Sequence, residues 1–125
     1  MGENLMPNIF SIRFADEFEK ELYRLSKKYR NIQQDVEPII QQLEQGIILG
    51  DRLSGFGSEI YVYKLRVKNS NIQKGKSACY RLIYLLESAT SILLLTIYSK
   101  AEKEDITVGD INSILGEYFT EESKM

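Results

Sequence analysis

The chain has 125 residues, a single cysteine, no histidine and a formal charge of −2 at pH 7. One cysteine excludes an internal disulfide and a cysteine-based metal cluster, and the lack of histidine excludes imidazole acid–base chemistry, His-based triads and His-ligated metals. The length fits one domain with a modest core that needs no staples.

The opening segment MGENLMPNIF has no basic head followed by a long apolar run, so no signal peptide is expected. Met6 stands where a myristoylation pattern needs Ser or Thr. Residues 1–8 are expected to be flexible. Ile9 to Phe14 alternates with Ser11 and Arg13 and reads as a first strand. Ala15-Asp16 then opens a helix whose stripe is Phe18, Leu22, Leu25 and Tyr29. Asp16, Glu17 and Glu19 near its start and Lys27, Lys28 and Arg30 near its end both suit the helix dipole.

Asn31 suits the cap of a second helix, Ile32 to about Glu44, with Ile32, Val36, Ile39 or Ile40, and Leu43 as its apolar side. Pro38 either kinks this helix or marks a restart capped by Asp35. Gly46 ends it. Gly50 to Ser58 (GDRLSGFGS) reads as turns. Three strands follow, at Glu59–Lys68, Ser77–Glu87 and Ser91–Ser99. The link from Asn69 to Lys76 reads as a mobile hairpin loop. A final short helix starts at Thr107 or Asp110, with Val108, Ile111, Ile114, Leu115 and Phe119 on its apolar side. Residues 120–125 are expected to be a flexible tail, leaving 9–119 as one domain. The fold class is α+β, ordered β-α-α-β-β-β-α. The two consecutive helices cover one face of a small antiparallel sheet of about four strands and leave the other face partly open. The longest apolar run, Ser91 to Tyr98, is too short to span a bilayer, so a cytoplasmic protein with no membrane partner is expected.

Charge is unevenly placed. Tyr61 to Lys100 holds seven basic residues (Lys64, Arg66, Lys68, Lys74, Lys76, Arg81 and Lys100) against one acid, Glu87. That segment is +6, which leaves −8 in the remainder. Cations on strands with tyrosines between them suit a phosphate backbone, although such residues also solvate sheet faces and guard sheet edges. Lys64, Arg66 and Lys68 alternate and so share one face of their strand, while Tyr61, Tyr63, Leu65 and Val67 take the other. Tyr98 and Lys100 share a face of theirs. Arg81 points with Cys79, Ile83 and Leu85, a mostly apolar row, and so needs either a partner or a phosphate. The competing reading for Arg81 is an ion pair, with an acid from the last helix as one candidate. For Tyr98 it is a half-buried strand residue, and for Lys100 a solvated strand end. Cys79 reads as a buried thiol. KGKS lacks the glycine spacing of a phosphate-binding loop and precedes a strand rather than a helix.

GDRLSGFG, VYKLRV, KGKSACYRLIYLL and LLLTIYSKAEKEDIT follow a strand and two helices in this order. In these segments, over residues 9 to 115, the chain resembles the RelE/ParE-like toxins of bacterial toxin–antitoxin pairs, on the RelE and HigB side. The resemblance implies a cytoplasmic antitoxin as partner and cleavage of mRNA on the ribosome. ParE-like members instead inhibit DNA gyrase and are not nucleases. It also implies working residues at Arg66, Lys64, Arg81 and Tyr98, with Lys100 where many relatives carry Lys. This chain departs from the HigB-like nucleases that use His, and its acidic balance departs from the basic character of many such toxins.

RNA can be cut without a metal or an imidazole when the 2′-hydroxyl attacks the adjacent phosphate. Arg66 and Arg81 are expected to hold that phosphate, where fixed cationic donors gain value as charge develops. Lys64 or Lys68 would assist proton transfer from the 2′-hydroxyl, and Tyr98 would stack on a base or supply a proton. Lys68, Lys74, Lys76 and Lys100 are expected to contact RNA. No cofactor or metal is expected. The competing classes are a gyrase-directed inhibitor and a degenerate toxin that only binds.

Overall fold

The computed structural model describes residues 9–72 and 79–123, the last three by backbone alone. The elements run β1 (Ser11–Phe14), α1 (Asp16–Lys28), α2 (Ile32–Glu44), β2 (Asp51–Arg52), β3 (Tyr61–Lys68), β4 (Cys79–Ser88), β5 (Ser91–Ser99) and α3 (Val108–Ser123). This is the expected α+β order with one short strand added, because Asp51 and Arg52 of the turn-rich stretch pair with Lys64 and Tyr63. The sheet has five strands in the order β1-β5-β4-β3-β2. It is mixed, since β1 lies parallel to β5 while the other pairs are antiparallel. Helices α1 and α2 form the connection that carries the chain from β1 across the sheet. Among the described residues, no helix is long and apolar enough to cross a membrane.

The apolar stripe of α1 buries Phe18 and Leu25 completely. Each such side chain stabilises the fold by roughly 1.5–3 kcal/mol. They join Ile32, Val36 and Leu43 of α2 and Leu65, Val67, Tyr80, Leu82, Ile92 and Leu94 of the sheet in one core. Helix α2 is continuous through Pro38 and does not restart there. Asn31 makes no side-chain cap; instead Asp35 accepts hydrogen bonds from the amide and hydroxyl of Ser70, at 2.9 and 3.0 Å. The helix ends at Gly46, whose φ of 88° is left-handed and whose N–H donates to the Leu43 carbonyl.

The second face is less open than the sequence suggests. Helix α3 is 16 residues long and runs to Ser123, through most of the stretch expected to be a flexible tail. Its Ile111, Ile114 and Leu115 pack with Val62, Ile83, Leu85, Leu93 and Leu95 in a second core. That core stops short of one corner. Arg66 and Lys68 remain exposed there, and Lys64 is half-exposed. Residues 1–8 and 73–78 lie outside the described residues, and with them Lys74 and Lys76.

Candidate anion-binding site

Strand β3 alternates strictly, so Leu65 and Val67 enter the core under α1 and α2 while Val62 enters the core under α3. Lys64, Arg66 and Lys68 therefore share the α3 side. In an antiparallel ladder, directly opposed residues point to the same face. Arg66 opposes Arg81 of β4, and Arg81 opposes Tyr98 of β5. The three side chains thus form one row across the sheet, with strands about 4.8 Å apart. Lys64 and Lys68 flank Arg66 along its own strand.

Tyr98 joins this row only because β5 contains a bulge. Ile83 opposes Thr96 and the next residue, Tyr84, opposes Leu94, so Leu95 is the extra residue. Before the bulge, Ile92 and Leu94 lie in the α1/α2 core and Leu93 in the α3 core. After it, Ile97 lies in the α1/α2 core and Tyr98 in the α3 core. The extra residue reverses the alternation and brings the phenol beside Arg81.

Arg81 is 9% exposed. Its guanidinium donates to Cys79 Sγ, on the same face of the same strand, and forms no ion pair with a described residue. Among the described residues, no acid of the last helix pairs with it. Arg66 likewise has no hydrogen-bond or ion-pair partner among the described residues, nor does Lys68. Two arginines thus stand opposed across the ladder, one nearly buried, and neither pairs with a carboxylate among the described residues. Such an arrangement repels itself and favours an anion held by both. Cys79 is half-buried rather than fully buried.

An unforeseen residue completes the site. Asp105, in the loop between β5 and α3, accepts on one oxygen, Oδ1, from Lys64 Nζ at 3.3 Å, Tyr98 Oη at 3.2 Å and its neighbour's backbone, Ile106 N, at 2.8 Å. The Ile106 amide, then the Lys64 ammonium and the Tyr98 hydroxyl, hold its carboxyl below the ordinary aspartate range. Burial, then the Asp105 charge, push the Tyr98 phenol up to about 12, with Arg81 pulling the other way. Lys100 is not part of the row, since its ammonium donates to the Glu104 carbonyl at 2.7 Å and fastens the loop that carries Asp105. Asp105 follows no spacing rule in the sequence. It stands in the acidic run EKED, and only the return of that loop over β3 brings it to Lys64.

Beyond Tyr98 a cleft of about 290 Å³ opens between α1, β5 and α3. Glu17, Glu21, Glu102 and Asp110 outnumber Arg24 and Lys103 there. That balance repels a phosphate backbone, so the anion-favouring surface is confined to the β3–β4 side of Tyr98. No protein-family model matches this chain, and no curated protein matches it.

Proposed function

We propose that this chain is the toxin of a toxin–antitoxin pair of the RelE/ParE kind, acting in the cytoplasm as a metal-independent endoribonuclease on ribosome-bound mRNA. The observation that carries the reading is the cross-strand row of Arg66, Arg81 and Tyr98, in which neither arginine pairs with a carboxylate among the described residues. A phosphodiester is the anion that suits such a row, because bidentate cationic donors match its oxygens.

In this mechanism Arg66 and Arg81 grip the non-bridging oxygens of the scissile phosphate. The 2′-oxygen loses its proton and bonds to phosphorus, the bond to the 5′-oxygen breaks, and that oxygen gains a proton. The products are a 2′,3′-cyclic phosphate and a 5′-hydroxyl. Fixed donors at the developing phosphorane charge accelerate such a step by about 10²–10³ each. Lys64 stands beside the row as a fixed ammonium, and Lys68 extends the cationic strip along the RNA. The Tyr98 phenol, raised to about 12, serves as a hydrogen-bond donor rather than as a base near neutrality.

One observation favours a binding-only reading, whether toward DNA gyrase or as a degenerate toxin. Asp105 engages both Lys64 and Tyr98, so neither is idle. The test is cleavage of mRNA on programmed ribosomes by the wild type and by Arg81→Ala, with a gyrase supercoiling assay alongside. Cyclic-phosphate ends from the wild type alone support the nuclease. Intact mRNA together with inhibited supercoiling would sink it. A cognate antitoxin is the expected protein partner in either class, and co-purification with the product of the adjacent gene checks it.

A further inference from the structure

We propose that Asp105 is the base that takes the 2′-hydroxyl proton, an inference that rests on the ribonuclease reading. Cyclising cleavage near neutral pH needs a group that is already unprotonated and close to the phosphate. An arginine side chain is a donor with no acceptor to offer. Tyr98 is pushed to about 12, and Lys64 is an ammonium donating to a carboxylate. Asp105 is the one carboxylate among the described residues that reaches the row, with Oδ1 at 3.2 Å from the Tyr98 hydroxyl and 3.3 Å from Lys64 Nζ. Its side chain is 63% exposed, so a ribose hydroxyl can approach. Its Oδ2 makes no hydrogen bond to a described residue and is open to accept a proton.

The loop that carries Asp105 is fastened on both sides. Glu102 pairs with Arg24 at 3.1 Å and Lys28 at 3.2 Å on α1. Lys100 holds the Glu104 carbonyl, and the Ile106 amide fixes Oδ1. A base held this way needs no rearrangement before reaction. The proton inventory closes. Oδ2 takes the 2′-hydroxyl proton as the 2′-oxygen bonds to phosphorus. The bond from phosphorus to the 5′-oxygen breaks, and Lys64 protonates that oxygen. The carboxylic acid of Asp105 then releases its proton to solvent and the neutral Lys64 amine takes one from solvent, which restores their ion pair.

Single-turnover cleavage on programmed ribosomes by the full chain tests this, with wild type, Asp105→Asn and Asp105→Glu compared. Binding is measured in parallel with an mRNA carrying a 2′-deoxy nucleotide at the cut site, and folding by circular dichroism. Loss of a general base slows the step by about 10²–10⁴. Asp105→Asn is expected to fall in that range with binding within about threefold of wild type, and Asp105→Glu to regain at least about tenfold of the loss. An Asp105→Asn protein that cuts within about threefold of wild type, or faster, overturns the assignment and makes the carboxylate a plug over Lys64 and Tyr98. A folded Asp105→Glu protein as slow as Asp105→Asn overturns it as well. A wild type that fails to cut mRNA rejects the ribonuclease reading itself, whereas a cutting wild type with an unimpaired Asp105→Asn rejects only the base.

Discussion

Arg66 and Arg81 face one another across the β3–β4 ladder, and neither pairs with a carboxylate among the described residues. Opposed like charges destabilise a sheet, and the cost grows as one of them is buried. Arg81, 9% exposed, is therefore a residue that the fold tolerates rather than one that holds it together.

Replacing Arg81 should consequently separate stability from activity. Arg81→Met keeps the apolar stem and removes the buried charge, so it should raise the unfolding free energy by about 1 kcal/mol in urea titrations. The same variant should lose about 10²–10³ in cleavage rate, and Arg81→Lys should not restore it, because a point charge does not replace a planar fork. A drop in stability of about 1 kcal/mol or more would mark Arg81 as structural support instead.

Inorganic phosphate should stabilise the folded protein through the same two residues. With a dissociation constant on the order of 1 mM, 10 mM phosphate adds about 1.4 kcal/mol. Thermal melts at fixed ionic strength should show this gain for wild type and none for Arg66→Ala/Arg81→Ala. An equal gain in both proteins would place the anion elsewhere.

Stability should fall on the alkaline side. Burial raises the phenols of Tyr80, Tyr84 and Tyr98 above the ordinary tyrosine value of 10.0, Tyr98 to about 12. A group whose folded pKa is raised stabilises the fold fully below its unfolded pKa and loses that contribution as pH climbs toward its folded one. Urea midpoints should therefore be insensitive to these groups below about pH 9 and decline from about pH 10 upward. Absorbance at a tyrosinate wavelength should show these three ionising after the exposed tyrosines, in step with unfolding.

Gly50 should resist substitution. Its φ of 87° is left-handed, and an added Cβ would sit 2.5 Å from the Lys64 carbonyl oxygen and 2.7 Å from Leu65 Cβ. Gly50→Ala should cost about 2 kcal/mol by combining backbone strain with overpacking, measurable by chemical denaturation. Because the clash falls on the β3 backbone at Lys64, cleavage should fall as well. Gly57, with φ of 80°, has nothing beyond its chain neighbours within 4 Å of an added Cβ, so Gly57→Ala serves as the comparison for strain alone.

Local periodicity determined much of this protein. The stripe of α1, the alternation of β3 and the order of elements follow from spacings within single segments, and each recurs in the structure. The same alternation put Lys64, Arg66 and Lys68 on one face, because side-chain direction in a regular strand depends only on parity. Asp51–Arg52 was hidden among turn residues because two-residue pairing is decided by the neighbouring strand.

The site itself required contacts between distant segments. Register set Arg66 against Arg81, and register depends on how whole strands align, not on either residue. The extra Leu95 reversed the alternation of β5 and so delivered Tyr98 to the same row; nothing in the apolar run Ile92 to Leu95 marks which of its residues is the extra one. Asp105 reached Lys64 across 41 residues of chain, through a loop anchored by Lys100 and Glu102. Composition and parity determined that a phosphate-favouring face could exist. Tertiary structure alone decided which side chains meet on it, because those meetings follow from the register of strands, one bulge and the return of one loop.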